Sequence, residues 1–420
     1  MIDIKLVREN SNLVKENIKK KFQNDKIKIV DEVLKLDAEW RKLKYEEDAL
    51  RGERNKISNK INELMKAKKS AKAEIKQAKE IPEKIENIQI KRRKLQENIR
   101  IILSKIPNII HKSVPIGKDE TQNKVVKKFG SVKKAKLKSH IEIGEELGII
   151  DFDNAVEISG KGFYFLKGNL AMLNMALINY ARDFMVKKGF SYIETPLMIR
   201  KEILDGVMSF EEIEQMAYKI EGEDLYLIAT SEHPLIGQFI NKIINQKDLP
   251  ILQTSYSMCF RKEIGSHGID EKGIFRTHQF NKQEMIVICN PKESEIWFNK
   301  MLDYSIEFFK SLEIPFRILE MCSGDLGDLK TRQFDLEAWS PRKNDYYEVT
   351  SLSNMGDAQA RRLGIRIEDK GKRVFAHTLN NTVLATSRAM VAILENNQQK
   401  DGSIKIPKVL WSYTGFKVIK

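Results

Sequence analysis

Two segments decide the reading of this chain: Cys259-Phe260-Arg261-Lys262-Glu263 and, a short way on, Phe275-Arg276-Thr277-His278-Gln279-Phe280-Asn281-Lys282-Gln283-Glu284. Apolar runs flank the pair. The stretch between them is polar and carries Gly265, Gly268 and Gly273, the pattern of two strands joined by a loop. Arginines and glutamates fall where the strands meet that loop. Arg261 and Arg276 can each fork onto phosphate oxygens. Phe280 offers a ring face for a base, and Glu284 a carboxylate for an amino group. A hairpin with these groups suits a nucleotide held by its triphosphate and its ring at once.

Outward from the hairpin, short β-rich runs alternate with helical ones. Examples are Leu225–Ile228, Met285–Cys289, Phe316–Leu319 and Tyr346–Val349, with a helical stretch over Leu170–Lys187. This predicts an α+β body, an antiparallel sheet flanked by helices. No GxGxxG follows a strand and no Walker A sequence occurs, so Rossmann and P-loop folds are unsupported.

Residues 28–106 have a different character, rich in Lys and Glu and poor in Gly. Ile29, Val33, Leu36, Trp40, Leu43, Leu50, Ile57, Ile61 and Leu64 step alternately by three and four, with Glu47 and Arg54 in the gaps. After a polar tip near Lys66–Lys72 the step resumes through Ala78, Ile81, Ile85, Ile88, Leu95, Ile99, Ile102 and Ile106, broken by Arg92. These are two heptad seams, and they predict an antiparallel helical hairpin roughly 50 Å or more long at about 1.5 Å per residue. Pro82 should start or kink the regular part of the second helix, and Pro107 should end it. A basic, loop-like connector follows, with Lys124, Lys127, Lys128, Lys133 and Lys134. The expected division is a helical domain over 1–110, a connector over 111–138 and a sheet-bearing domain over 139–420. From heptads alone the hairpin reads as a dimerisation element.

The bulk numbers agree with two domains. The chain has 420 residues, 41% hydrophobic and 31% charged, with a net charge of +14. That charge fits a polyanionic partner or general solubility in a lysine-rich proteome. Cys259, Cys289 and Cys322 show no CxxC spacing, which supports neither a zinc site nor a disulfide framework. Cys259 and Cys289 sit in apolar runs and are expected in the core. No leader or membrane-spanning run stands out, so a cytoplasmic location is expected.

The hairpin segments resemble motif 2 of class II aminoacyl-tRNA synthetases. Thr230-Ser231-Glu232 resembles the amino-acid-site Thr-x-Glu of seryl-tRNA synthetases. Glu348-Val349-Thr350-Ser351-Leu352-Ser353-Asn354 resembles that family's metal-and-ATP strand, and Leu379-Asn380-Asn381-Thr382 through Arg388 its motif 3. Gly189-Phe190-Ser191-Tyr192-Ile193-Glu194-Thr195-Pro196 resembles motif 1, which in class II enzymes builds a homodimer interface. The resemblance covers nearly the whole chain. It departs from the common pattern at Val383 and Ser387, where motif 3 often has glycine. The zinc-dependent branch of the family is not supported.

What the resemblance implies is the activation of L-serine by ATP to seryl-adenylate, then transfer to the 3′ end of serine tRNA. Arg261 would meet the α-phosphate and the attacking carboxylate, and Arg276 and Arg388 the rest of the triphosphate. Lys262 and Glu263 belong to the ATP set, with Glu263 facing the adenine amino group and Phe280 stacking on the ring. Glu348, Val349, Thr350 and Ser351 line the ATP, with Glu348 and Ser351 bringing Mg²⁺ to the phosphates. Serine falls to Thr230, Ser231, Glu232, Arg261, Glu284, Asn380 and Thr382, which supply hydrogen bonds for the hydroxyl and two carboxylates for the ammonium. His267 and His278 are not assigned as bases, because the attacking carboxylate needs no deprotonation. The resemblance also turns the hairpin into an arm for the long variable arm of tRNA, contacted by Lys66, Lys68, Lys69, Lys72, Lys91, Arg92, Arg93 and Lys94. A carrier-protein serine ligase would need no such arm, and a non-catalytic RNA-binding relic would have lost its ATP residues.

Overall fold

Helices α1 (Ile4–Glu9), α2 (Ser11–Lys20), α3 (Ile27–Lys66) and α4 (Lys72–Ser104) build the first of two units, Met1–Pro107, in this computed structural model. The structure describes residues 1–132, 137–263 and 273–420. The expected hairpin is present, with Val33, Ile57, Ile81, Ile85, Ile99 and Leu103 buried along its seam. The seam departs from the heptad reading at its base. There Val30 rather than Ile29 is fully buried, on the part of α3 nearest the buried Val7, Val14 and Ile18 of α1 and α2. Pro82 neither starts nor ends a helix. It lies exposed inside α4, which begins at Lys72.

The polar breaks in the two seams meet. Arg92 forms an ion pair with Glu47 and lays its guanidinium 4.7 Å from the Trp40 ring centroid. Gln89 donates to Glu47 at 3.0 Å and Arg51 lies 2.8 Å from it. The Gln89 hydrogen bond, with help from both arginines, holds the Glu47 carboxyl down to about 2. This corrects the expectation for Arg92. Its side chain is 18% exposed and committed to the seam, so it leaves the set of solvent-facing cations, whereas Lys66, Lys68, Lys69, Lys72, Lys91, Arg93 and Lys94 are exposed.

The second unit, Asn108–Lys420, is organised on an eight-stranded sheet. Its strands are β1 (Lys124–Phe129), β2 (Ser191–Tyr192), β3 (Ile251–Phe260), β4 (Gln279–Cys289), β5 (Phe316–Glu320), β6 (Arg332–Ser340), β7 (Asp345–Asn354) and β8 (His377–Ala385). Their order is β1-β5-β6-β7-β8-β4-β3-β2, antiparallel except for the short β2–β3 pair. β1 corrects the connector expectation. Lysines at 124, 127 and 128 hide an edge strand paired to β5, with an irregularity between Val125 and Lys127. Charged edge strands resist pairing with other chains. Lys133 and Lys134 lie outside the described residues.

The central strand β4 is buried on both faces. Met285, Val287 and Cys289 enter a core shared with the helices Gly168–Lys187, Ser294–Ser311 and Thr386–Asn396. Ile286 and Ile288 enter a second core on the opposite face. This alternation is the period-two geometry of a strand. All three cysteines are free and buried, as packing predicted for Cys259 and Cys289. Among the described residues no helix is long and apolar enough to cross a membrane.

Candidate active site

The sheet opens where β7 leaves β8. The two strands pair only over Leu352–Asn354 and Leu379–Asn381, and β8 carries a bulge at Val383. Arg388, in the first turn of the Thr386–Asn396 helix, bridges the opening. Its Nη1 donates to the Glu348 carbonyl at 2.9 Å and lies 3.0 Å from the Glu348 carboxylate. Its guanidinium also sits 5.2 Å from the Phe275 ring centroid. Burial alone would push the Glu348 carboxyl up. Arg388, joined by Arg261 and Lys330, more than offsets this and keeps it below the usual range.

A cavity of about 330 Å³ lies over this opening. Of the residues expected from sequence, it is lined by Thr230, Glu232, Arg261, Glu263, Arg276, Phe280, Glu348, Val349, Ser351, Asn380, Thr382 and Arg388. They come from β4, β7, β8, the helix that follows β8, and the loops before and after β3, so tertiary folding gathers four distant segments. Arg261 follows the end of β3, donates from Nε to the Ala229 carbonyl at 3.3 Å, and lays its guanidinium 5.1 Å from the Phe280 ring centroid. Glu263 takes a φ of +50°, a left-handed conformation uncommon outside glycine, and pairs with Arg276 at 3.1 Å.

Four expected residues stand apart from the cavity wall: Ser231, Thr350, Lys262 and Glu284. Ser231 is buried and donates to the Ser255 carbonyl at 3.2 Å. Thr350 is buried and turned off the wall, beside the irregularity in the β6–β7 ladder that leaves Val349 unpaired. Lys262 is held by its backbone N–H on the Met216 carbonyl, and its side chain is not part of the wall. His278, just before β4, hydrogen-bonds the Tyr218 hydroxyl at 3.0 Å and does not line the cavity. Gly265, Gly268 and His267 lie outside the described residues.

Glu232 and Glu284 behave differently. Glu232 accepts from Gln359 at 2.8 Å and Asn380 at 2.9 Å. Burial first, and the charge of Glu284 second, lift its carboxyl to about 7. Glu284 is reached by the Thr230 hydroxyl at 2.7 Å and forms an ion pair with Lys282, two residues away on the same face of β4. It is almost fully buried and does not line the cavity, whereas Lys282 does.

Sequence reasoning missed Lys282, Gln359, Lys330 and Asp335. Lys282 is one more lysine in a lysine-rich chain, although its i, i+2 spacing to Glu284 was a signal. Asp335 lies opposite Ser351 in the β6–β7 ladder and, with Gln333 and Lys330, forms a polar wall next to Glu348. Gln333 donates to Asp335 at 2.7 Å and to Ser351 at 3.0 Å, and accepts from Lys330 at 2.8 Å. Burial and the neighbouring Glu348 push the Asp335 carboxyl up.

Comparison with known proteins agrees with this arrangement from both ends of the chain. Residues 1–110 match the seryl-tRNA synthetase N-terminal domain, and residues 215–397 match the tRNA synthetase class II core domain (G, H, P, S and T). A serine–tRNA ligase of Methanospirillum hungatei is 45% identical over 357 residues, 84% of each chain. One from Pyrococcus horikoshii is 44% identical over 366 residues, 81% of this chain and 80% of that one. The chain belongs to the seryl-tRNA synthetase family. The crystal structure of the Pyrococcus horikoshii seryl-tRNA synthetase complexed with ATP superposes with a TM-score of 0.94 at 44% identity, covering 100% of this chain and 99% of that one. The cytoplasmic serine–tRNA ligase of Naegleria fowleri in complex with AMP gives 0.90 at 34% identity, with the same coverage. A Giardia lamblia prolyl-tRNA synthetase, at 16% identity and a TM-score of 0.57 over 66% of this chain, shares the fold alone. The family's two parts thus correspond to the hairpin unit and the sheet unit.

Proposed function

We infer that this chain is a serine–tRNA ligase: it activates L-serine with ATP, releasing pyrophosphate, and transfers the seryl group to the 3′ end of tRNA. The supporting observation is one cavity holding two kinds of chemistry. At one end Arg261, Arg276 and Arg388 offer fixed cationic forks. At the other Thr230, Glu232, Asn380 and Thr382 offer small polar groups. Attack of the serine carboxylate on the α-phosphate forms one P–O bond and breaks another. It calls for alignment and charge neutralisation rather than for a base. Arg261, whose Nε reaches the Ala229 carbonyl next to Thr230, is assigned to both the carboxylate and the α-phosphate. Arg276 and Arg388 take the rest of the triphosphate, and Phe280 takes the adenine face. Glu348 and Ser351, with Asp335 across the ladder, are an oxygen-only donor set of the kind Mg²⁺ accepts. Held there, Mg²⁺ would supply further charge neutralisation at the phosphates.

The hairpin is assigned to the tRNA, its exposed tip and α4 cations to phosphates. A homodimer is assigned to the face of the Gly168–Lys187 helix that leaves Met172 and Met175 exposed. The direct test is serine-dependent ATP–pyrophosphate exchange followed by charging of bulk tRNA. Exchange with another amino acid in place of serine would overturn the assignment.

Two further outcomes follow from the pocket. Serine's ammonium calls for ionised Glu232, whose carboxyl burial and Glu284 push up to about 7. A group raised this way is neutral below that value, and ligand binding draws the proton off. Apparent serine affinity should therefore rise about tenfold per pH unit on the acid side and flatten above pH ~7.5. The KM for serine in exchange, measured from pH 6 to pH 8.5, checks this. A KM that falls with decreasing pH contradicts it. Thr382→Val keeps volume but removes a hydroxyl from the cavity wall, and should cost about 1–3 kcal/mol in kcat/KM for serine. Unchanged kinetics would take Thr382 out of the pocket.

A further inference from the structure

Lys282 lines the pocket but has no part in the reaction as assigned above. Its side chain is 11% exposed, yet its ammonium is turned onto Glu284 and lies 3.4 Å from the Thr230 hydroxyl. It stands in the cavity wall in front of Glu284. Glu284 keeps one acceptor to spare: its Oε2 is buried with no hydrogen-bond partner. Across the ladder, Thr382 sits directly opposite Glu284. Once serine binding has drawn the proton from Glu232, the amino-acid end of the cavity carries two carboxylates, Glu232 and Glu284, and one ammonium, Lys282, for a net charge of −1. One substrate ammonium balances it.

We propose that Lys282 is a specificity residue: by neutralising Glu284 in place, it converts that carboxylate from an ion-pair site into a hydrogen-bond acceptor for a hydroxyl. The inference rests on the serine-activating reading of the same site. The analogue that must be excluded is L-2,3-diaminopropionate, which carries an ammonium where serine carries its hydroxyl. The two groups are nearly the same size, so the walls cannot separate them, and a pocket that discriminates must do so by charge. A hydroxyl that reaches the buried Oε2 of Glu284 past Lys282 meets an acceptor with no other hydrogen-bond partner. A second ammonium placed there meets the Lys282 cation, and like charges juxtaposed in a desolvated site are strongly unfavourable. Without Lys282, Glu284 is a buried carboxylate lacking a counter-ion, which favours a cationic side chain.

The test compares pyrophosphate exchange with serine and with L-2,3-diaminopropionate in the full-length protein and in Lys282→Met, Lys282→Gln and Lys282→Arg. The ratio of kcat/KM for diaminopropionate to that for serine should rise on the order of 100-fold in Lys282→Met, the scale of a desolvated like-charge contact. It should stay near the parent value in Lys282→Arg, which keeps the charge. Should the methionine variant fail to fold, Lys282→Gln carries the same expectation, because it keeps a long polar stem and loses the charge. Calorimetric binding of diaminopropionate in the presence of a non-hydrolysable ATP analogue gives a second readout independent of turnover. An unchanged ratio and unchanged affinity in the neutral variants overturn the proposal. A parent protein with no serine-dependent exchange overturns instead the functional reading beneath it.

Discussion

Arg388→Ala should lower serine-dependent pyrophosphate exchange by at least about 10²–10³-fold, the range seen when one preorganised charge-stabilising donor is removed from an active site. Arg388 has two tasks that alanine cannot share. It presents a guanidinium to the cavity, and it ties the Glu348 carboxylate and carbonyl across the gap between β7 and β8. Its loss would leave Glu348 beside Asp335 without its nearest counter-ion. Arg261→Ala should show a comparable loss, and Arg261→Lys should recover little of it, because a single ammonium cannot fork onto a carboxylate and a phosphate together. Circular dichroism and sedimentation should show both variants folded and in the parent assembly state. Near-parental exchange in either alanine variant would sink the assignment of these arginines to the phosphates.

The second large effect separates the two units. Residues 48–90 form the outer part of the hairpin, beyond the Glu47–Arg92 pair, and contain none of the residues that line the cavity. Excising them and joining Glu47 to Lys91 through a short glycine linker should leave pyrophosphate exchange intact. Charging of tRNA should fall by two orders of magnitude or more, through KM for tRNA, as several phosphate contacts are lost. Neutralising Lys91, Arg93 and Lys94 in the intact arm should act more gently, each lost contact lowering the salt slope of tRNA binding by about one. The competing view, that the hairpin holds two copies together, expects monomers and loss of both activities. Sedimentation run beside the two assays decides, and normal tRNA charging by the truncated protein would falsify the arm assignment.

Much of this architecture was legible because periodicity survives in a single sequence. The heptads of α3 and α4 and the alternation through β4 are direct consequences of side-chain direction on a helix and a strand. The phosphate end of the site was legible for a different reason. Arginines and glutamates at strand ends are conspicuous, and Arg261, Arg276, Glu348 and Arg388 do reach one cavity. What stayed hidden was hidden by composition or adjacency. The lysines of β1, half of its six residues, mask the strand. Ser231 and Thr350 read as site residues only because their neighbours line the cavity, and the chain turns them the other way. Lys282 and Arg92 look like ordinary surface cations, and only the fold shows that each is matched to a particular glutamate.

The Glu47–Arg92 pair also acts as a registration pin. Sliding α4 along α3 by one heptad would separate Glu47 from Arg92 and set it against Ile85 or Ile99, and an unpaired buried charge costs several kcal/mol. The projection of the hairpin is thereby locked to one length. It can evolve or be engineered only in matched steps, seven residues added to both helices beyond the pin, each moving the tip by about 10 Å at 1.5 Å per residue. Seven residues added to one helix alone should instead be expelled as a bulge near the tip, leaving the distance from pin to tip unchanged.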